Sequence, residues 1–251
     1  MFASLLTLAG NALAQGSYLN AGFGYGLSAG DWLGVTEPNG TANNVYGSFG
    51  RGLTLGLNTG YKVNDNAAFE LGLWYVMGSS YQFITDFGSS GSSSHKVSGN
   101  TFRVMPEIKI TGGKTHNKLY AKFGFVLGIA TKLNDAETFT SPAGSTDINH
   151  DFTAGTSHGW TGAFGIDFSE DLSTSFFLEA NFCHQVFKPD LETINIAGQD
   201  PVKFKLVDEP NPNDIDEKLR PFFSFSTITI TAGVRFSSAS KKKNATGGST
   251  K

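Results

Sequence analysis

The chain has 251 residues, of which 31 are glycine, 22 phenylalanine and one cysteine, with 16% charged residues and a net charge of −3. The lone Cys183 excludes an internal disulfide framework, and low charge with many aromatics excludes a disordered chain. The balance of 19 basic against 22 acidic residues gives no nucleic-acid footprint, and no run approaches the roughly 18 apolar residues of a transmembrane helix.

Residues Met1 to Ala14 carry no charge and end in Ala12-Leu13-Ala14 before Gln15. That small-x-small ending marks a secretory cleavage site, so 1–14 is expected to be a signal peptide. The usual basic start is missing, so Met1 is expected to lie inside a longer signal that is truncated here at its start. A first apolar strand is the alternative.

Beyond Gln15, one pattern recurs eight times: apolar residues alternate with small or polar ones, the period of a strand with two unlike faces. The first segment sets Leu19, Ala21, Phe23, Tyr25 and Leu27 against Asn20, Gly22, Gly24 and Gly26. The second runs from Leu53 to Val63, the third from Phe69 to Met77 and the fourth from Phe102 to Ile110. Leu119–Ile129, Trp160–Phe168, Phe176–Val186 and Ile228–Phe236 complete the set. Long connections (about 28–50, 84–98, 131–158 and 188–222) alternate with short ones near 64–66, 111–118 and 169–174. The short ones carry the Asn, Asp, Gly and Ser of tight hairpins. Pro106 on the apolar face of the fourth segment predicts a local bulge, because proline removes a ladder donor.

Long loops on one rim and short turns on the other predict an all-β, eight-stranded antiparallel transmembrane up-and-down β-barrel over residues 15–236. The second face decides which side points outward. A water-facing exterior carries many charges of both signs, whereas here that face is mostly Gly, Ala, Thr and Asn, which suits a narrow lumen. The apolar face suits lipid: Leu53 to Val63 covers about 33 Å of strand, or about 23–25 Å of membrane at a tilt near 45°. Both termini then lie on the short-turn, periplasmic side and the long loops are extracellular.

This strand pattern, with the closing segment Ile230-Thr231-Ala232-Gly233-Val234-Arg235-Phe236, resembles the small bacterial outer-membrane β-barrel family, of which the OmpA membrane domain and OmpX are familiar members. The likeness covers about residues 17–236, and the glycine richness is similar to that of porin-like barrels of Bacteroidota. The resemblance implies the outer membrane of a Gram-negative bacterium. It also implies outer-membrane lipids, including lipopolysaccharide, as surroundings, and Phe236 as a signal to the barrel-assembly machinery. The fifteen residues 237–251 follow Phe236 with four lysines and no acid, a composition expected to be disordered in the periplasm.

The chemistry lies on the lumen face. Lys62, Glu70, Glu107, Lys109, Lys122, Asp167, Glu179 and Arg235 all point inward near the short-turn ends of their strands. Four bases and four acids confined at low dielectric are costly unless paired, so a structural salt-bridge network that closes the lumen is expected. A proton or ion pathway is the lesser reading. Among the mostly small residues above this cluster, Trp74, Val76, Arg103, Met105, Val126 and Gln185 are the larger exceptions, and a shallow cavity open to the outside is expected there.

No cofactor, metal or catalytic site is predicted. His150 and His158 share a long loop with Asp147 and Asp151 at no recognised ligand spacing, and His184 is expected to lack a serine partner. The loop 188–222 carries eight acidic residues against five basic ones, which points to a solvated or partner-facing surface. The function expected is a non-enzymatic structural, accessory or interaction subunit contacting other outer-membrane or periplasmic proteins. The alternative is a narrow channel or small-ligand barrel for uptake or efflux.

Overall fold

The structure is a computed structural model that describes residues 16–29, 32–36, 42–46, 48–113, 117–168 and 173–237. The expected signal peptide and all but Ser237 of the basic tail lie outside these residues. In chain order the strands are β1 (Ser17–Ser28), β2 (Trp32–Thr36), β3 (Ala42–Tyr46), β4 (Gly52–Asn64), β5 (Ala67–Gly78), β6 (Tyr81–Asp86) and β7 (Ser92–Gly112). They continue with β8 (Lys118–Ser141), β9 (Gly144–Thr153), β10 (Thr156–Phe168), β11 (Thr174–Lys188), β12 (Leu191–Ile196) and β13 (Val202–Val207). The last three are β14 (Glu217–Leu219), β15 (Phe223–Ser224) and β16 (Thr227–Ser237). The described chain is thus all-β apart from one short 3-10 turn, Gly88–Ser90.

Antiparallel pairing runs from β1 to β4, β5, β7, β8, β10, β11 and β16, and β16 pairs back with β1. Each strand in this circuit contains one of the eight alternating segments. The alternation becomes a two-faced wall. Phe23, Leu55, Leu73, Phe123, Phe164 and Ile230 stand exposed on the outside, while Asn58, Glu70, Lys122, Thr161 and Arg235 are buried within.

Three of the long connections are not irregular loops. β7 and β8 continue as paired strands far past the predicted ends, and β6, β9, β12, β13 and β14 widen them into a sheet beyond the wall. The stretch Ser92-Ser93-Ser94 has no apolar period, so the backbone ladder forms there without the signal that marks a half-buried strand. The first long connection holds the separate β2–β3 hairpin. The wall meets the extension at a register shift between Asn100 and Phe102, opposite Ala130, whose φ is 51°.

The bulge expected at Pro106 is absent. Pro106 pairs with Leu71 in unbroken register on β5. Toward β8 the register is the same at Val104↔Leu127 and Glu107↔Gly124 on either side of it. The proline costs local pairs there without an inserted residue, so the strand keeps its faces.

Two apolar clusters fill the interior. Trp74, Met105, Val126 and Cys183 meet inside the wall, and Phe49, Val97, Leu133, Phe187 and Phe225 pack where the wall passes into the extension.

Candidate functional site

Seven of the eight lumen charges predicted from the sequence are buried together toward the short-turn end. Glu70, Glu107, Lys109, Lys122, Asp167, Glu179 and Arg235 are each at most 5% exposed. Lys62 is half-buried at the turn end of β4. Each charge comes from a different wall strand except Glu107 and Lys109, which share β7 two residues apart and therefore point the same way.

The contacts run across the lumen. Lys122 Nζ lies 2.7 Å from Glu70 Oε2 and 2.7 Å from Glu179 Oε2. Asp167 Oδ2 accepts hydrogen bonds from Lys109 Nζ and Arg235 Nη1, both at 2.6 Å. The Lys122–Glu70 approach is an ion pair without hydrogen-bond alignment at Oε2. Among the described residues Glu107 makes no ion pair within 4 Å, and its Oε1 has no hydrogen-bond partner.

Two tyrosines that the sequence reading did not assign to the cluster complete it. Tyr18 donates to Glu70 Oε1 at 2.5 Å and Tyr120 to Glu179 Oε2 at 3.0 Å. Their rings also lie under cations: Lys109 Nζ is 3.7 Å from the Tyr120 centroid and Arg235 Cζ 4.5 Å from that of Tyr18. Cation–π attraction strengthens when both partners are desolvated. Period-2 counting back from Asn20 reaches Tyr18, so the signal was present. Nothing in the sequence, however, shows which carboxylate the ring meets.

The glycines opposite these rings are a packing requirement. A Cβ on Gly60 would overlap the Tyr18 ring, one on Gly165 the Tyr120 ring and one on Gly56 the indole of Trp74. Three large side chains thus fit only because the neighbouring strands carry none.

Above the charges, Trp74 donates to Asn58 Oδ1 at 2.6 Å. Arg103 donates from Nε to Gln185 Oε1 at 2.7 Å and from Nη2 to the Phe225 carbonyl at 2.7 Å. The shallow open cavity expected here is reduced to about 20 Å³, lined by residues including Trp74, Arg103, Met105, Glu179 and Asn181. That is room for about one water. The small lumen residues leave space, and the large exceptions together with the Phe49–Phe225 cluster take it up.

The remaining predicted residues fall elsewhere. Phe236 is exposed on the outer face at the end of β16, paired with Leu19 and Thr174. His158 is exposed. His150 is not a simple surface histidine: its Nδ1 lies 2.8 Å from Glu192 Oε1. The expectation for His184 is corrected, because Ser226 Oγ sits 3.0 Å from its Nδ1. Ser226 stands there because the chain from β15 to β16 runs on along β11 in one register, a contact no spacing rule contains. Ser226 is only 1% exposed, so its hydroxyl is shut away from substrate. Among the described residues no three His, Cys, Asp or Glu side chains are placed to hold a metal ion.

The profile of a family described as outer membrane protein beta-barrel domain matches residues 13–186. The chain belongs to that family. Outer-membrane β-barrels are accordingly the setting for the exposed apolar wall, which is the face such proteins turn to lipid. Among solved structures, CarO of Acinetobacter baumannii is similar at 12% identity and a TM-score of 0.36, covering 88% of this chain and 97% of that one. The outer-membrane protein AlkL, solved in lipid bilayers, is similar at 13% identity and a TM-score of 0.38, covering 90% and 91%. No curated protein matches the chain.

Proposed function

We propose that this outer-membrane protein is a non-enzymatic structural, accessory or interaction subunit. In this reading the closed circuit of eight strands is its transmembrane barrel. The short turns and termini are periplasmic, and the sheet built on β7 and β8 is extracellular. The observation that carries the proposal is the lumen's own chemistry. Lys122 joins Glu70 to Glu179 and Asp167 joins Lys109 to Arg235, while the space above them measures about 20 Å³. A barrel filled in this way has its working surfaces on the outside.

Strand length supports the same division. The 24 residues of β8 extend roughly 80 Å, or about 55 Å at a tilt of 45°, against an apolar band about 25 Å tall. More than half of the strand therefore stands beyond the lipid, and that surface is available to a partner. Outer-membrane lipids, including lipopolysaccharide, contact the apolar wall in this reading, and the assembly machinery reads Phe236. Other outer-membrane or periplasmic proteins meet the extension.

Extraction from native membranes in mild detergent, followed by particle-mass measurement, tests the proposal. A particle well above the 26.8 kDa chain plus its micelle, with other proteins in fixed ratio, is expected. A lone barrel would overturn the subunit reading. The alternative, a narrow channel or small-ligand barrel for uptake or efflux, is favoured only by the pocket where Arg103 and Glu179 face the same space. Single-channel conductance in planar bilayers separates the two, because a lumen plugged by ion pairs gives no stepwise current. Unaltered lipid A and phospholipid after expression would accord with the non-enzymatic reading.

A further inference from the structure

The sheet beyond the wall contains two histidines that the barrel does not use. His95 on β7 and His150 on β9 flank β8 on one face, with His95 in register with Glu137 and His150 with Asp135. His150 directs Nδ1 to Glu192 Oε1 at 2.8 Å and Nε2 to Glu137 Oε2 at 3.4 Å. His95 directs Nδ1 to Asp135 Oδ2 at 3.0 Å and Nε2 toward Glu137 Oε1 at 3.9 Å. Lys218 on β14 closes the chain of contacts at 2.9 Å from Glu192 Oε2. Phe83 of β6 stacks on His95 with ring centroids 4.6 Å apart, and the Ser93 hydroxyl bonds to Glu137.

A neutral imidazole offers one donor and one acceptor, whereas an ionised carboxylate only accepts. Both nitrogens of both rings face carboxylate oxygens. Only the doubly protonated imidazolium gives each nitrogen a hydrogen to direct at its neighbour. With neutral rings, Asp135, Glu137 and Glu192 carry −3 against +1 from Lys218, a local excess of −2. With both rings charged the sum is zero. The counter-charges come from β8, β12 and β14, and the histidine contacts span the β7–β8, β8–β9 and β9–β12 joints of the sheet.

We infer that His95 and His150 form a proton-operated clamp, which binds β7, β8, β9, β12 and β14 into one sheet when both rings are charged and loosens it when they lose their protons. The hydrogen bond to Glu192 raises the His150 pKa above its ordinary 6.5, in keeping with this geometry. The shape of the sheet beyond the wall then depends on pH. The inference rests on contacts within the extension and is independent of the subunit reading.

The full chain refolded in detergent micelles tests it. Imidazole ¹⁵N shifts and backbone hydrogen exchange, corrected for intrinsic pH dependence, are followed from about pH 5 to pH 8.5, the range in which histidine titrates. Both rings are expected to be doubly protonated at the acid end. Opening of segments 133–153 and 191–207 should rise about tenfold for each unit by which a folded-state histidine pKa exceeds that of the open state. A double His95→Gln/His150→Gln variant should lose that pH dependence. Should it fail to fold, Glu137→Gln keeps both rings and the strand pairing and should lower the His150 titration midpoint. Neutral rings at the pH where the sheet is protected would overturn the clamp. So would Glu137→Gln titrating and exchanging as the wild type does.

Discussion

Asp167 on β10 and Arg235 on β16 meet at 2.6 Å across the lumen side of the intervening strand β11. Both are almost wholly buried, and the same Asp167 oxygen also takes the Lys109 ammonium. Charges held this way are stabilising only while every partner remains, since removing one leaves its neighbour buried without compensation.

Lys122→Met is therefore expected to destabilise the barrel by about 3–5 kcal/mol, the cost of stranding a buried partner. It leaves Glu70 and Glu179 facing the same vacated space. Urea unfolding in lipid vesicles, followed by tryptophan fluorescence, measures the loss. A midpoint equal to that of the wild type would mean that the lumen charges are hydrated rather than paired.

Glu107 contrasts with its neighbours. Among the described residues it is buried without an ion pair, with Oε1 unpartnered, so Glu107→Gln removes a desolvated acid and breaks no ion pair. The change is expected to leave stability within about 1 kcal/mol of the wild type, on the stabilising side. The same unfolding assay compares it directly with Lys122→Met.

Gly56→Ala introduces a Cβ that overlaps the Trp74 indole. Overpacking of this kind costs about 1–3 kcal/mol. Because Trp74 must move away from Asn58, to which it donates at 2.6 Å, a shift in tryptophan emission should accompany the lower midpoint. Loss of stability with an unchanged spectrum would locate the strain elsewhere.

The pair His150–Glu192 gives a pH window. The His150 pKa is raised, first by its hydrogen bond to Glu192, so its contribution is complete below the ordinary 6.5 and is lost as pH rises through the raised value. The Glu192 pKa is lowered, against its own burial, by His150 and Lys218, so its contribution is present above the ordinary 4.5 and is lost as pH falls through the lowered value. The pair should hold β9 to β12 best between pH 4.5 and 6.5. Glu192→Gln should lower the His150 midpoint, read from its ring carbon resonances.

Phe236→Ser tests the proposed assembly signal. Phe236 lies on the outer face with 43% of its surface exposed, so the purified, refolded variant should unfold almost as the wild type does. In cells, the heat-modifiable folded form in the outer membrane should fall several-fold. Equal amounts of folded protein would remove Phe236 from the assembly role.

Period-2 alternation was enough to place the faces of all eight wall strands, because strand geometry sends successive side chains to opposite sides whatever the partner. For the same reason Glu70, Lys109 and Arg235 were legible as lumen residues. What alternation could not supply is register and closure. That Lys122 lies between Glu70 and Glu179, that Tyr18 reaches Glu70, and that Ser226 stands beside His184 are contacts between strands distant in sequence, decided by how the sheet closes and staggers. The extensions 92–101 of β7 and 131–141 of β8 escaped notice because Val97 and Leu133 are buried apolar residues set among polar ones, too few to make an alternating run. Sequence alone thus determined which side of each strand faces the lumen. The tertiary structure decided which charges meet and how little space they leave, since pairing and packing depend on distances that no single strand contains.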